Sequence, residues 1–530
     1  MSVDDLRQQL RERGYLTHGI ERWFALNPWS SRAFWVELTT VALKAAILMA
    51  VFGALPLTAI MLFRDAPLHA FETLGLFVTY FAAWLVVCFA FVIAIALVLK
   101  VRPALPIDTP RALLAISVAT GVVMVAPIAL WWYRFDTAPN LPELAAGVAL
   151  SVVFFLVVTV VLSAALLSFS IYEMRRIPAI HAKPRTIPIL IAALALIGLL
   201  FVPAYIDRDR PLAQPMVVTT PTSSRVALIA VDGLTNEILR SRPDIVKMFP
   251  HVATVATIRG DSTAERWASL GTGVRTEEHG VRAIEGVRFR GGAHVLQRIS
   301  RADWVLMNFA PLIGIARREP LPPTVRRRDY IWEVFAERGV TSVSVNWWAT
   351  ADDKAAGLTS IGPESIFTSA RGDALRVDAV AVERFRQTLD RQSPRFATVY
   401  LPALDVILNR LPLDPTTRFA TSLRALDGIV PAIADARARG YEVVVTGMPG
   451  DGQSGTAVIA STIPFDGKSA WDVAPAILDT MGFPPSSEMP GSAKTSLARI
   501  ATYGPRDIEA SAQAVNEEYY QNLKSLGYIR

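Results

Sequence analysis

Residues 262–280, STAERWASLGTGVRTEEHG, carry the side chains of this chain that point most directly at chemistry. A hydroxyl at Thr263 is followed by Thr272-Gly273 and by His279-Gly280. A threonine hydroxyl becomes a nucleophile when a neighbouring base or a metal ion activates it. The segment therefore predicts a catalytic site, provided that the rest of the chain supplies the activating groups.

Alternating strand and helix patterns follow residue 225. The β-branched run RVALIAV ends at Asp232, as expected for a strand buried on both faces with a functional group at its carboxyl end. Similar runs recur at VATVATI, VTSVSVNWW, FATVYL and YEVVVTG. We predict a doubly wound, mostly parallel α/β sheet over residues 225–530, with catalytic groups on loops at one edge. The proline- and threonine-rich residues 206–224 are predicted to be a linker.

The first 205 residues contain the apolar excess of the chain. The composition is 52% hydrophobic, with a mean hydropathy of +0.35, which is high for a soluble protein. Five stretches approach or exceed the roughly 20 residues that a helix needs to cross a bilayer. They are residues 41–63, 73–99, 112–133, 144–171 and 187–205. We therefore predict an N-terminal segment, 1–40, and five transmembrane helices within 41–205.

Basic residues distinguish the loops between these spans. The N-terminal segment and the second and fourth loops are rich in Arg and Lys, whereas the first and third carry little beyond Arg64 and Arg134. Positive charge marks the cytoplasmic side, so the N-terminus is predicted inside and the C-terminal domain outside. We expect a multi-pass protein of a bacterial inner membrane with a periplasmic or extracellular domain. The single cysteine, Cys88, lies in the second span, which leaves no disulfide or thiolate metal site.

Five segments occur in an order that resembles the type I phosphodiesterase/nucleotide pyrophosphatase branch of the alkaline phosphatase superfamily. They are VALIAVDGL, STAERWASLGTG, the Trp-Trp segment within 326–350, VYLPALDVILNR and AWDVAPAILDTMGFPPSSEMPG. The resemblance implies an alkaline-phosphatase-like domain over most of residues 225–530. It also implies a phosphodiesterase or phosphotransferase with Thr263 as the nucleophile, and two divalent cations, usually zinc, that activate the hydroxyl and clamp the phosphate oxygens.

The metal ligands that the resemblance implies are only partly present. Asp232, Thr263 and Asp405 stand at ligand positions, but Asn409 stands where the Asp-x-x-x-His motif has its histidine. The segment VVVTGMPG aligns with a strand that ends in Ser-Asp-His-Gly, so Gly447 and Met448 replace an aspartate and a histidine.

A count of histidines leads to the same conclusion. The six histidines are His18, His69, His181, His251, His279 and His294. The family's three ligand histidines all follow the nucleophile, in the second half of the domain, and this chain has none after residue 294. The two-zinc site is therefore not expected to form as the family builds it. In the family pattern, the histidine that corresponds to His279 stabilises its loop and does not bind the metals.

The remaining oxygen donors suit a hard cation better than zinc. They are Asp232, Thr263, Asp405, Asn409 and, from a shifted loop, Asp451. The sequence predicts no metal, or at most a single divalent cation: Mg²⁺, Ca²⁺ or Zn²⁺. One ion alone lacks the second clamp on the attacking and leaving oxygens.

Two functions are compatible with this pattern. The first is a membrane-anchored pseudoenzyme that acts as a binding or assembly subunit in the cell envelope, with the bilayer and other envelope proteins as partners. The alternative is a divergent metal-dependent phosphodiesterase or phospho-headgroup transferase acting on envelope lipids or glycans. The net charge of +6 owes much to the cytoplasmic loops and does not indicate nucleic-acid binding. The sequence identifies no substrate-binding residues.

Two charged segments have both a functional and a structural interpretation. Glu265 and Arg266, beside Thr263, are interpreted as surface charge on a helix, with ligand contact as the alternative. The basic run Arg326–Arg328 is interpreted as a solvated helix start, with binding of anionic headgroups or phosphorylated glycan as the alternative.

Overall fold

The chain divides into two compact units in a computed structural model. The described residues are 34–65, 70–101, 110–133, 139–170, 222–297, 304–355, 357–450, 455–506 and 516–529, with a few single residues between these ranges. The first unit comprises Met1–Arg210 and Val287–Arg317, and the second comprises Pro211–Gly286 and Arg318–Arg530. Residues 287–317, which the sequence analysis counted within the C-terminal domain, thus group with the N-terminal helices.

Four helices of the first unit are long and apolar enough to cross a membrane. They are α1 (Phe34–Asp65), α2 (Ala70–Val101), α3 (Pro110–Tyr133) and α4 (Leu141–Ser170). They coincide with the first four predicted spans. The predicted fifth span, 187–205, lies almost entirely outside the described residues and remains a prediction.

The other elements alternate between strand and helix. The strands are β1 (Val226–Asp232), β2 (His251–Ala256), β3 (Glu285–Phe289), β4 (Val295–Leu296), β5 (Ala316–Pro320), β6 (Ser342–Val345), β7 (Asp353–Ala355), β8 (Leu358–Ile361), β9 (Phe396–Leu401), β10 (Glu442–Met448) and β11 (Thr456–Ser461). The helices are α5 (Asn236–Arg240), α6 (Pro243–Val246), α7 (Thr263–Thr272), α8 (Thr276–His279), α9 (Ala310–Leu312), α10 (Ile331–Glu337), α11 (Pro363–Ala370), α12 (Ala374–Gln392), α13 (Ala403–Asp405), α14 (Pro415–Ala438), α15 (Val473–Thr480) and α16 (Glu517–Ser525). Single π-helical turns cover Val305–Phe309 and Val406–Arg410, and 3₁₀ turns cover Pro323–Val325 and Ala470–Asp472.

In the first unit, α1 packs against α2 and α4, and α4 packs against α3. The first turns of α2 also contact the segment 287–317. The carboxylate of Glu72 accepts hydrogen bonds from the backbone N–H groups of Ala293 and His294, at 2.9 and 3.2 Å. Phe289 lies so close to Gly75 that a Cβ added there would be 2.6 Å from its ring. Glycine is therefore required at this contact.

The second unit is built on an eight-stranded sheet with the order β2-β11-β10-β1-β9-β6-β8-β7. The central strands β10, β1, β9, β6 and β8 run parallel, whereas the pairings of β10 with β11, of β11 with β2 and of β8 with β7 are antiparallel. The prediction of an α/β domain with a mostly parallel sheet is confirmed. β11 is antiparallel because a short connection returns the chain directly beside β10, and parallel pairing would need a long crossover.

Burial of the central strands explains their sequences. Every residue of β1 and of β9 is buried, which is why both read as continuous apolar runs without polar alternation. The helices α12 and α14 contribute buried apolar faces to the same core. Because β10, β1 and β9 are parallel neighbours, their carboxyl ends lie side by side at one edge of the sheet. The predicted site residues lie at this edge.

Candidate functional site

Three adjacent strands deliver the predicted site residues to one edge of the sheet. Asp232 is the last residue of β1 and is paired in register with Met448, the last residue of β10. Asp405 follows β9 after a single turn of helix, α13. All three side chains are buried. The structure thus brings together residues that are separated by up to 216 positions (448 − 232) in the sequence.

Thr263 is the first residue of α7 and lies beside Asp232. Ser262 caps the helix by accepting a hydrogen bond from the Glu265 N–H at 3.1 Å, which fixes the start of α7. The Thr263 hydroxyl donates to Asp232 Oδ2 at 2.5 Å, and the Tyr400 hydroxyl donates to the same oxygen at 2.9 Å. Thr263 and Asp232 are both fully buried. The predicted nucleophile is therefore present and hydrogen-bonded to the predicted first ligand.

Asp405 is held by two side chains that follow it closely in sequence. Asn409 Nδ2 donates to Asp405 Oδ1, and Arg410 Nε donates to Asp405 Oδ2, each at 2.7 Å. A π-helical turn makes both contacts possible: the Leu411 N–H bonds to the Val406 carbonyl, five residues back, at 2.9 Å. The wider turn lets residues four and five positions after Asp405 reach the same carboxylate. The ion pair is buried, with side-chain exposures of 0% for Asp405 and 7% for Arg410.

A second guanidinium, that of Arg266, occupies the space between Thr263 and the loop after β10. Arg266 Nη2 donates to Thr263 Oγ1 at 3.1 Å, and Nη1 donates to the carbonyl oxygens of Pro449 and Gly450 at 2.6 and 3.1 Å. The interpretation of Arg266 and Glu265 as surface charge was wrong, because both are buried. Glu265 accepts hydrogen bonds from the Asp261 N–H and the Thr276 hydroxyl. Both residues lie on the inward face of the first turn of α7.

The loop after β10 lies directly against the Asp405 and Asn409 side chains. A Cβ added at Gly450 would be 1.9 Å from Asp405 Oδ1 and 2.0 Å from Asn409 Nδ2. A Cβ added at Gly447 would be 2.4 Å from the Leu234 carbonyl oxygen. Glycine is therefore the residue that this packing accepts at both positions. The backbone itself fills the space in front of Asp405.

These residues do not fit a two-metal centre. Both carboxylate oxygens of Asp405 accept hydrogen bonds, one of them from a guanidinium, and Asn409 turns its amide nitrogen toward the site. Among the described residues, no group of three or more His, Cys, Asp or Glu side chains is placed to hold an ion. Asp451 lies outside the described residues. The local positive charge is supplied by Arg266 and Arg410.

Burial controls the protonation of the site. It raises the pKa of Asp232 to about 6, with a further upward contribution from the negative charge of Asp405 and an opposing one from Arg266. Burial lowers the pKa of His279 to about 3, helped by Arg282 and Arg326. Because His279 Nδ1 accepts from the Val281 N–H, Nε2 carries the proton and donates to Ser269 Oγ at 2.9 Å. His279 therefore joins the loop to α7 as a neutral side chain.

The raised pKa of Asp232 predicts a pH-dependent stability. Between about pH 4 and pH 6 the folded state binds a proton that the unfolded state has lost, so the contribution of Asp232 falls as pH rises through 6. Relative to an Asp232→Asn variant, the wild type should lose about 3 kcal/mol of unfolding free energy between pH 4 and pH 7.5. The full-length protein is equilibrated in urea at each of the two pH values. The unfolded fraction is then measured by a short pulse of hydrogen exchange in the β1 peptide, with the pulse always at the same pH. A difference that does not change with pH would show that Asp232 keeps its ordinary pKa in the folded state.

Two arginines of the basic run, Arg326 and Arg328, form ion pairs within the domain. Arg326 is fully buried, forms two hydrogen bonds to the Glu333 carboxylate at 2.5 and 2.6 Å, and lies 4.0 Å from the centre of the Tyr330 ring. Arg328 pairs with Glu278 and Glu488. Neither a solvated helix start nor a headgroup site describes Arg326, because its charge is compensated inside the domain.

Two members of this site, Arg410 and Tyr400, were not predicted from the sequence, and a third, Arg266, was interpreted there as surface charge. One signal was available for the first. Arg410 immediately follows Asn409, the position where the resemblance implies a ligand histidine, so a positive charge next to this position could have been noticed in the sequence. No comparable signal marks Tyr400, because its hydroxyl reaches Asp232 only through the pairing of β9 with β1.

Comparison with known proteins yields one family and several distant structures. The model of the type I phosphodiesterase/nucleotide pyrophosphatase family matches residues 226–449. A phosphonoacetate hydrolase from Sinorhizobium meliloti 1021 is 13% identical, with a TM-score of 0.30, over 44% of this chain and 59% of the hydrolase. Human ectonucleotide pyrophosphatase/phosphodiesterase 5 is 15% identical, with a TM-score of 0.29, over 42% of this chain and 56% of that protein.

The similarity to these solved structures covers less than two thirds of each of them. No curated protein sequence matches the chain at a significant level. The family match begins at the first residue of β1 and ends just after β10, so it contains the strand ends that carry Asp232, Asp405 and Met448. Residues 226–449 of this chain are thus similar to the type I phosphodiesterase/nucleotide pyrophosphatase family.

Proposed function

We propose that this protein is a membrane-anchored pseudoenzyme, a phosphodiesterase-like domain without catalytic metals that acts as a binding or assembly subunit in the cell envelope. The observation that carries the proposal is the buried ion pair between Asp405 and Arg410. In the family pattern this aspartate is a metal ligand. Here a guanidinium of the same chain neutralises it, and the neighbouring ligand position holds Asn409.

The packing around the ion pair supports the same proposal. Arg266 brings a second positive charge to Thr263, and the Gly450 backbone fills the space in front of Asp405. An entering cation would have to displace two guanidinium groups and a loop. Each displacement exposes a buried charge or an unpaired donor, which costs several kcal/mol. The two guanidinium groups and the loop therefore stabilise this part of the fold in place of a metal ion.

The location we propose follows from the helices and their flanking charge. Four helices are long and apolar enough to span a membrane, and by the positive-inside rule the basic N-terminal segment supports a cytoplasmic N-terminus. With the fifth span predicted at 187–205, the phosphodiesterase-like domain would lie in the periplasm or at the surface of a bacterial cell. Its partners would then be other proteins of the envelope.

A divergent enzyme is the second candidate, favoured by one contact. The hydrogen bond of 2.5 Å from the Thr263 hydroxyl to Asp232 joins a nucleophile to a carboxylate whose pKa of about 6 suits a general base. Arg266 would stabilise negative charge on a phosphate oxygen. Against this role, Thr263 and Asp232 are both fully buried, so a substrate could reach them only after the covering loop moved.

Metal content and Thr263-dependent turnover distinguish the two functions. For the full-length protein purified in detergent, we expect no stoichiometric Zn, Mn, Mg or Ca by elemental mass spectrometry. Hydrolysis of a bis-aryl phosphodiester should be the same for the wild type and Thr263→Ala, because no activated alkoxide is formed. Thr272→Ala, which removes a hydroxyl from the other end of α7, is the matched control.

One bound metal ion per chain, together with turnover that Thr263→Ala abolishes and Thr272→Ala retains, would establish the divergent enzyme and overturn the pseudoenzyme proposal. The assembly role is tested separately. Affinity capture of the tagged full-length protein from membranes should recover a stoichiometric envelope protein, and the same capture from membranes without the tagged protein should not.

A further inference from the structure

The four-helix unit contains an apolar groove of about 310 Å³ between α2 and α3. Tyr80, Val87 and Phe91 line it from α2, and Val123 and Trp131 line it from α3. Val305, in the π-helical turn of segment 287–317, contributes to one end. A volume of this size is at the lower end of the range for small-molecule sites.

The groove exists because α2 and α3 do not pack closely against each other. α2 lies on α1, α3 lies on α4, and the α1/α4 contact holds the two pairs together. Ala83 is a small side chain in the groove wall, on the same face of α2 as Tyr80 and Val87. Within the described residues, no other element fills the space between the two helices.

The dimensions of the groove suit a chain-like occupant. From Tyr80 to Phe91 the α2 helix rises about 16 Å, at 1.5 Å per residue. This stretch lies wholly within the apolar span Ala70–Val98. At one end of the groove lies Trp131, the last residue but one of the apolar span Leu113–Trp132, and tryptophan at a span end typically lies at the level of lipid headgroups. From this end, the apolar part of the groove extends toward the middle of the bilayer.

We propose that this groove binds one acyl chain of a membrane phospholipid, with the headgroup at the Trp131 end. In a bilayer, water cannot fill an apolar cavity of this kind. A lipid tail is the apolar ligand present at high concentration, and it matches both the length and the lining. The inference does not depend on whether the phosphodiesterase-like domain is catalytically inactive, because every residue that carries it belongs to the four-helix unit.

Photo-crosslinking in nanodiscs tests the proposal on the full-length protein. The probe is a phosphatidylglycerol with a diazirine at mid-tail, present at trace level in phosphatidylethanolamine and phosphatidylglycerol. Mass spectrometry should map the label to residues 80–91 and 123–131 in preference to the lipid-exposed face of α4. Val87→Trp, which places an indole in the groove, should lower this labelling about tenfold, equivalent to 1.4 kcal/mol of binding.

Val152→Trp on α4 is the matched control, since both valines are exposed, at 41% and 51%, but only Val87 lines the groove. Ala83→Trp and Ala149→Trp form a second pair of the same design, so that misfolding of one variant leaves the test intact. Equal labelling of the wild type, Val87→Trp and Val152→Trp would show annular lipid only and overturn the proposal. The proposal would also be overturned if residues 187–205 or a co-purified protein occupied the groove and the label appeared elsewhere.

Discussion

Arg410→Ala should lower the free energy of unfolding of the phosphodiesterase-like domain by about 3–5 kcal/mol, the usual cost of removing one partner of a buried ion pair. The reason is that Asp405, fully buried, loses the guanidinium that pairs with it and keeps the amide of Asn409. Loss of the stacking of Arg410 on Tyr528, at 4.2 Å, adds to the effect. Hydrogen exchange of the β1 and β9 peptides in the full-length protein measures the local unfolding free energy.

Arg386→Ala provides the control for Arg410→Ala. Arg386 pairs with Asp435 on the surface, where its side chain is 41% exposed. Surface pairs contribute about 0–1 kcal/mol, so this variant should be close to the wild type. If Arg410→Ala proved equally mild, Asp405 would have to be neutralised by something other than Arg410, and the observation that carries the pseudoenzyme proposal would fail.

Gly447→Asp, which restores the family's aspartate at that position, should destabilise the domain by about 4 kcal/mol or more rather than rebuild a metal site. The new Cβ would lie 2.4 Å from the Leu234 carbonyl oxygen, which is backbone and cannot move aside cheaply. The substitution therefore combines overpacking of a central strand with burial of an unpaired carboxylate. The same hydrogen-exchange measurement on β10 and β1 reports the loss, and elemental analysis reports any metal gained.

Gly428→Asp is the matched control for this second experiment. Gly428 lies within α14, and a Cβ added there meets no atom within 4 Å. Its effect should stay within about 1 kcal/mol, the range of helix propensity. A Gly447→Asp variant that remained as stable as Gly428→Asp, and bound a divalent ion, would show that the site retains the capacity to hold a metal.

Most of the fold could be predicted because its signals are local. The largely apolar runs that became β1, β9 and β10 allowed strand type and burial to be inferred from composition alone. The same holds for the four apolar helices. The edge arrangement was not predicted, since the antiparallel pairing of β11 with β2 depends on which distant segments meet.

The candidate site was predicted in part, for a related reason. Asp232, Thr263, Asp405 and Asn409 stand at motif positions, and the structure places them together. The two arginines required information that motifs do not contain. Arg410 reaches Asp405 only through a π-helical turn, and Arg266 faces inward because the loop after β10 offers it two carbonyl oxygens. Side-chain direction and turn width depend on tertiary packing, which residue spacing does not encode.

The ion pair of Asp405 with Arg410 also affects how the domain responds to its surroundings. A site that needs a dissociable ion loses stability when the free ion concentration falls below its dissociation constant. Arg410 is covalently part of the chain, so its effective concentration at Asp405 is fixed by five residues of backbone. Neither dilution nor a chelator can remove this charge. Compensation of Asp405 is therefore independent of the supply of metal ions in the compartment where the domain resides.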